Sequence, residues 1–148
     1  MVFGEEAFTQ CPLTLDYGIL LSFLDRLSIG MAGDATAIGS AIAISTKRLK
    51  DLQAESKIVI LLTDGRNNAG RISPEVATDA AASLGIRIYT IGAGTHGKAP
   101  FKIDTLFGPK YVYREVDIDE ESLKQIAQKT GGEYFRATDS DSLAQIYK

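Results

Sequence analysis

The chain has 148 residues, of which 45% are hydrophobic and 24% charged, and its formal net charge at pH 7 is −3. This composition excludes a disordered or fibrous protein. It also argues against a nucleic-acid partner, because no stripe of Lys and Arg is present to neutralise phosphates. The longest aliphatic run, residues 58–62, is far below the roughly 18 residues that a membrane-spanning helix needs. We therefore expect the chain as written to be soluble and to form one domain over 1–148.

The first third of the chain predicts one strand and two helices. Residues 7–13 are typical of a strand, and Pro12 favours an edge position because it has no N–H to donate. Residues 16–27 carry apolar side chains at helical spacing, at positions 20, 23, 24 and 27. Residues 36–49 form the second helical stretch.

The middle of the chain predicts a strand–helix–strand unit. Residues 57–63 are a continuous β-rich apolar run, which indicates a strand buried on both faces, and residues 86–91 form a second such run. Between them, Ser73 is a suitable N-cap, Pro74 occupies the first helical position, and Gly85 follows the last turn. Two parallel strands joined by a helix are therefore expected.

The remainder predicts a hairpin, two helices and a short strand. Gly108-Pro109 separates two β-rich stretches, which suggests a protruding β-hairpin near 101–116. Residues 119–130 form a helix that stops at Gly131, residues 133–137 a strand, and residues 139–148 a final helix. The fold class is thus α/β, with a mainly parallel sheet and helices on both faces.

One glycine-rich segment has the form of a nucleotide-binding loop. Residues 92–97 fit G-x-G-x-x-G and follow a strand, but the pattern works only if a helix begins there to hold the phosphates. Pro100 and the absence of helical periodicity argue against that helix. The segment is better explained as a turn into the hairpin, with His96 as a solvated loop residue.

Two polar residues lie where an α/β sheet binds ligands, beyond the carboxyl ends of its strands. Asp64 directly follows the first apolar strand, and Gly65 allows the backbone to turn sharply there. Thr36 lies in a glycine-flanked loop, residues 33–39, before the second helix. Each also has a purely structural explanation: Asp64 as a turn residue, and Thr36 as a helix N-cap.

These segments together resemble a von Willebrand factor A-type domain. The resemblance lies in Leu61-Leu62-Thr63-Asp64-Gly65, the loop at 33–39, and residues 91–94. Residues 3–14, 117–120 and 131–138 further resemble the Bat (aerotolerance-type) bacterial proteins, which are encoded beside MoxR-class AAA+ ATPases. The likeness extends over essentially the whole chain.

The resemblance implies a Rossmann-like fold and a metal-ion-dependent adhesion site for Mg²⁺ or Mn²⁺. In the family, an Asp-x-Ser-x-Ser loop, a threonine and an aspartate from three loops hold the cation; Thr36 and Asp64 match the last two. A partner protein's carboxylate or water fills the open position. The resemblance therefore implies non-enzymatic binding of proteins, among them Bat-type proteins or a MoxR-class ATPase, by a parent anchored in the bacterial cytoplasmic membrane.

The chain departs from this pattern because it contains no Asp-x-Ser-x-Ser. We expect an N-terminally truncated domain that lacks the family's first strand and binds Mg²⁺ weakly or not at all, since two oxygen side chains seldom displace its water. Without that strand, residues 57–63 have an open apolar edge. Either the front hairpin pairs with this edge, or two copies form a homodimer through it.

An alternative reading is a small Mg²⁺-dependent α/β hydrolase, phosphatase-like, that uses Asp64 as its nucleophile or base. Such chemistry needs a second carboxylate or a lysine near Asp64. The residues that follow, Arg66-Asn67-Asn68, supply a charge and two amides but no acid.

Overall fold

A parallel sheet organises the chain in the computed structural model, which describes residues 1–94, 97–105, 108–116 and 118–146, with backbone alone for 97–105 and 109–116. The strands are β1 (Val2–Phe3), β2 (Ala7–Phe8), β3 (Lys57–Thr63), β4 (Ile86–Ala93), β5 (Gly97–Thr105), β6 (Gly108–Val116) and β7 (Tyr134–Ala137). The helices are α1 (Tyr17–Leu24), α2 (Ile38–Leu49), α3 (Pro74–Ser83), α4 (Glu120–Thr130) and α5 (Ser140–Ile146).

The central sheet has the strand order β3-β4-β7, and all its strands are parallel. β3 pairs with β4 along its whole length, from Lys57 opposite Ile86 to Thr63 opposite Gly92. The two strands therefore end at the same edge of the sheet, which places the loops after Thr63 and after Ala93 side by side. The predicted α/β fold with a parallel sheet is confirmed.

The hydrophobic core lies between one face of this sheet and helices α2, α3 and α4. Its buried side chains come from all of these elements: Ile38, Ile42, Leu61, Ala77, Ala81, Ile86, Ile88, Ile118, Leu123 and Ile126. The predicted helix signals are also present. Ser73 Oγ accepts the N–H of Val76 at the start of α3, and Gly131 ends α4 with a φ of 74°.

The second face of the sheet is only partly covered, so the expectation that β3 is buried on both faces is wrong. Ile58, Ile60 and Leu62 are 46%, 51% and 40% exposed. The helices α2 to α4 all pack on the opposite face. On this side α5 contributes Ile146, which lines an apolar groove of about 300 Å³ with residues of all three strands, including Phe135.

The front of the chain also differs from the prediction. The strand expected over 7–13 is confined to β2, which pairs with β1 in a separate two-stranded sheet. This hairpin is tied to the loop before α2, where the N–H of Ala37 donates to the carbonyl of Gly4 at 2.7 Å. The expected pairing of the front hairpin with β3 is therefore wrong; the homodimer stays a prediction.

Helix α1 is shorter than the helix predicted over 16–27, and it buries none of its residues. Asp16 caps it by accepting the N–H of Ile19 at 3.0 Å. Apolar side chains occur around it rather than on one stripe, and Leu21 is 58% exposed. The spacing of apolar residues thus predicts the helix correctly, but no side of this helix is buried against the rest of the domain.

The predicted hairpin is confirmed and is longer than the sequence indicated. β5 and β6 pair antiparallel from Gly97 opposite Val116 to Thr105 opposite Gly108. At its root, the Arg136 guanidinium donates to a Glu120 carboxylate oxygen and to the Gly94 carbonyl, both at 2.8 Å. His96 lies outside the described residues, so its place in a solvated loop stays a prediction.

Within the described ranges, none of the helices combines the length and the apolar character needed to cross a bilayer.

Candidate functional site

Asp64 lies at the carboxyl edge of the sheet, immediately after β3. Its side chain is exposed, whereas the preceding Thr63 is buried. The Thr63 hydroxyl accepts the N–H of Gly65 at 3.3 Å and so closes the turn around Asp64. The carboxylate is therefore presented to solvent by a locally hydrogen-bonded turn at the ligand-binding edge of the fold.

Thr36 lies against this same turn. A Cβ built on Gly65 would meet the Thr36 Oγ1 at 3.1 Å and its Cβ at 3.8 Å. The glycine thus leaves the space that the threonine hydroxyl uses. The structure brings together the two loops that carry Thr36 and Asp64, although the residues are 28 positions apart in the sequence.

Thr36 is not the N-cap of α2, which removes the structural explanation of this residue as a cap. The N-cap position is held by Ala37, and its side chain supplies no hydrogen bond. Instead, the Asn67 Oδ1 accepts the N–H of Ile38 at 2.8 Å and that of Gly39 at 3.4 Å. The first turn of α2 is therefore capped from the loop that follows β3.

The neighbouring Asn68 fixes the backbone of Thr36 on both sides. Its Oδ1 accepts the Thr36 N–H at 2.7 Å, and its own N–H donates to the Thr36 carbonyl at 3.0 Å. The N–H of Ala69 donates to the same carbonyl at 3.3 Å. These bonds hold the threonine loop in one position relative to the loop after β3.

The loop between β3 and α3 also packs closely against the N-terminus of α2. A Cβ on Gly70 would meet the Ser40 Oγ at 2.7 Å, and one on Gly39 would come within 2.0 Å of the Ile72 carbonyl oxygen. Neither position has room for a side chain. The site is thus a close contact between two loops at the end of a packed helix.

The available donors suit a hard divalent cation only in part. A carboxylate and a hydroxyl oxygen are ligands that Mg²⁺ and Mn²⁺ accept; Asp64 is exposed and Thr36 is half-buried. In the part of the chain that the structure describes, no group of three His, Cys, Asp or Glu side chains is placed to hold a metal. Thr36 and Asp64 would therefore share the cation with water.

Asn67 and Asn68 are functional candidates that the sequence reasoning missed. The sequence shows them only as two amides that follow Asp64. Their position directly after an Asp-Gly turn is a usable signal, since Asn at such sites often bonds to backbone groups. Their partners, however, lie 29 and 32 residues earlier in the chain, so a local pattern does not identify them.

Taken together, a parallel sheet packed against helices, with a hydroxyl and a carboxylate on adjacent loops at its carboxyl edge, defines an α/β domain with polar groups at the edge where such folds bind ligands. The chain belongs to the von Willebrand factor type A domain family, whose model matches residues 1–148. Domains of this family generally mediate adhesion or protein–protein interaction.

Solved structures support this assignment and the resemblance to the Bat group. An uncharacterised membrane-spanning protein from Vibrio fischeri is 39% identical, with a TM-score of 0.51, and the match covers 98% of this chain and 70% of that one. An aerotolerance-related membrane protein from Bacteroides fragilis is 28% identical, with a TM-score of 0.78, and the match covers 98% and 73%.

A further similar structure is of a protein with a metal-ion-dependent adhesion site (MIDAS) motif that holds zinc. Proximal thread matrix protein 1 from the mussel byssus, solved with a zinc-occupied MIDAS motif, is 25% identical with a TM-score of 0.69; the match covers 97% of this chain and 31% of that one.

An uncharacterised protein of Borreliella burgdorferi is 29% identical over 144 residues, 96% of this chain. The chain spans 42% of that relative's length.

Proposed function

We propose that this chain is the protein-binding domain of a bacterial envelope-stress protein of the aerotolerance type, acting without catalysis through a partial metal-ion-dependent adhesion site. Residues 1–148 form one domain in this proposal, and Thr36 and Asp64 are its cation ligands. The close approach of Thr36 to the Gly65 turn supports it most directly, because it brings a hydroxyl-bearing side chain beside the turn that carries an exposed carboxylate.

The cation in this proposal is Mg²⁺ or Mn²⁺, held weakly. Both ions prefer oxygen ligands, and Mg²⁺ gives up its water reluctantly, so two side chains provide little affinity. The two side chains instead fix where the cation binds. A cation at this edge of the sheet has an open coordination position for a carboxylate of a partner protein. The bound protein is thereby recognised through the metal, and no covalent bond changes.

Calorimetric titration with Mg²⁺ and with Mn²⁺ tests the cation ligands. Saturable binding is expected in the unchanged chain and should be lost in Thr36→Ala and in Asp64→Ala. Ser73→Ala is the matched control, because it removes a hydroxyl from the surface of the same domain at a helix cap. A flat titration of the unchanged chain, or binding retained in both variants, would contradict the assigned ligands.

The proposed partners are Bat-type proteins and a MoxR-class ATPase of the same bacterium, and the proposed parent is anchored in the cytoplasmic membrane. The likeness to an aerotolerance-related membrane protein supports this choice. Each purified candidate can be passed over the immobilised domain with Mg²⁺ or with a chelator. Binding that needs both Mg²⁺ and Asp64 is expected; binding insensitive to both would reject the metal-bridged contact.

The proposal also includes self-association through β3. In the described part of the sheet this strand pairs on one side only, with β4, and its exposed face is apolar. Such an edge favours pairing with another chain. Light scattering should give the mass of a dimer that Ile60→Lys converts to a monomer; a monomer for the unchanged chain would reject this element.

A further inference from the structure

The asparagines after the Asp64 turn connect the two loops of the proposed cation site. Asn67 bonds to the first amides of α2, and Asn68 bonds to the backbone of Thr36 on both sides. Neither residue is a predicted ligand. Both belong to the segment that carries Asp64, yet all of these bonds are made to the segment that carries Thr36.

The Asn67 contact replaces a cap that α2 lacks. An exposed or buried helix start leaves its first N–H groups without intrahelical partners, and Ala37 has no side-chain acceptor to offer them. Ile38 and Gly39 are buried, so water does not readily serve these groups. A single amide oxygen, 2.8 Å from the Ile38 nitrogen, therefore joins the helix to the loop.

The hydrogen bonds of Asn68 are made to the backbone of Thr36, and they fix the orientation of that residue. With the N–H and the carbonyl of Thr36 both bonded to residues 68 and 69, its peptide planes have little freedom to rotate. The direction of its Cα–Cβ bond is then set, and the hydroxyl comes to lie against Gly65. The Thr36 side chain is thus held beside the turn that carries Asp64 before any cation binds.

We propose that Asn67 and Asn68 are positioning residues that hold Thr36 in register with Asp64. The functional meaning of this role rests on the cation site proposed above. Removing groups that orient metal ligands commonly lowers metal affinity about 10- to 100-fold, and a site with few protein ligands depends especially on such preorganisation.

Amide hydrogen exchange of the metal-free protein tests the positioning directly. In Asn68→Ala the Thr36 amide should exchange about tenfold faster, which corresponds to the loss of one hydrogen bond, and the nuclear Overhauser contact between Thr36 and Gly65 should weaken. In Asn67→Ala the Ile38 amide should lose protection, and Asn67→Asp should restore it because the acceptor oxygen is kept. Unchanged exchange at Thr36 in Asn68→Ala would overturn the proposal.

A Mn²⁺ titration then measures the effect on the site, with Ser73→Ala as the control that loses a helix cap elsewhere. Asn68→Ala should weaken Mn²⁺ binding about 10- to 100-fold, whereas Ser73→Ala should leave it unchanged. An equal loss in both variants would show a general stability effect and overturn the positioning role. Absence of Mn²⁺ binding in the unchanged chain would reject the proposed cation site alone, and the exchange data would still decide the role of the asparagines.

Discussion

Replacement of Gly39 by alanine is the sharpest test of how the site is built. Gly39 lies in the first turn of α2, and its N–H is one of the two that Asn67 accepts. A Cβ at this position would come within 2.0 Å of the Ile72 carbonyl oxygen and 2.7 Å of the Ser73 carbonyl carbon. Both are backbone atoms, so the clash cannot be relieved by rotating a side chain.

The expected effect is the difference between two opposing contributions. Overpacking a close contact costs up to about 3 kcal/mol. Alanine is preferred to glycine in a helix by about 1 kcal/mol, which offsets part of that cost. The net loss in the free energy of unfolding is therefore about 2 kcal/mol, and for a domain of this size the melting temperature should fall by about 4–8 °C.

Urea denaturation followed by circular dichroism, together with calorimetry, measures this loss. Gly18→Ala is the matched control, because a Cβ there meets only the side-chain oxygen of Asp16, at 3.2 Å. The control should be as stable as the unchanged chain or more stable by up to about 1 kcal/mol, because it gains helix propensity without a backbone clash. A Gly39→Ala protein as stable as the control would refute the close approach of the 64–73 loop to α2.

Further predictions concern the core and one titrating group. Ile42→Ala, at a fully buried position of α2, should cost about 2–5 kcal/mol by urea denaturation; a cost below 1 kcal/mol would contradict the packing. Thr46→Val should stabilise the protein by about 1 kcal/mol, because the buried hydroxyl finds no hydrogen-bond partner among the described residues; a loss of stability would indicate that the hydroxyl is bonded. The pKa of Asp139 is lowered, first because the Ser142 backbone N–H donates to its carboxylate. The charged form is therefore favoured in the folded state, so the stability advantage over Asp139→Asn should be complete above the ordinary Asp pKa and vanish as the pH falls through the lowered one. An advantage that persists in acid would contradict this linkage.

The elements that the sequence predicted well are those whose signals are local. Helix α3 begins at Pro74 with Ser73 as its cap, and α4 ends at Gly131 in the left-handed conformation, as expected. The strands β3 and β4 follow from short apolar runs that end in glycine-containing turns. In each case the determinant lies within a few residues of the feature that it sets.

The features that the sequence did not predict depend on distant parts of the chain. Helix α2 begins at Ile38, two positions after the predicted start, and its capping oxygen comes from Asn67 in the loop after β3. The burial of β3 depends on which elements cover each face, and an apolar run such as residues 57–63 carries no information on that point. The pairing of Thr36 with the Asp64 loop was expected only through the family resemblance.

The bridge made by Arg136 has a consequence for how this domain can be varied. The guanidinium joins the carbonyl of Gly94, just before the hairpin leaves the sheet, to Glu120, just after it returns. A segment whose two ends are held at one point can be lengthened at a small cost in stability, since each doubling of loop length adds only about 0.6 kcal/mol to the entropic cost of closing the loop. Residues 97–116 are thus a place where a tag or a foreign loop can be spliced in while the parallel sheet keeps its register.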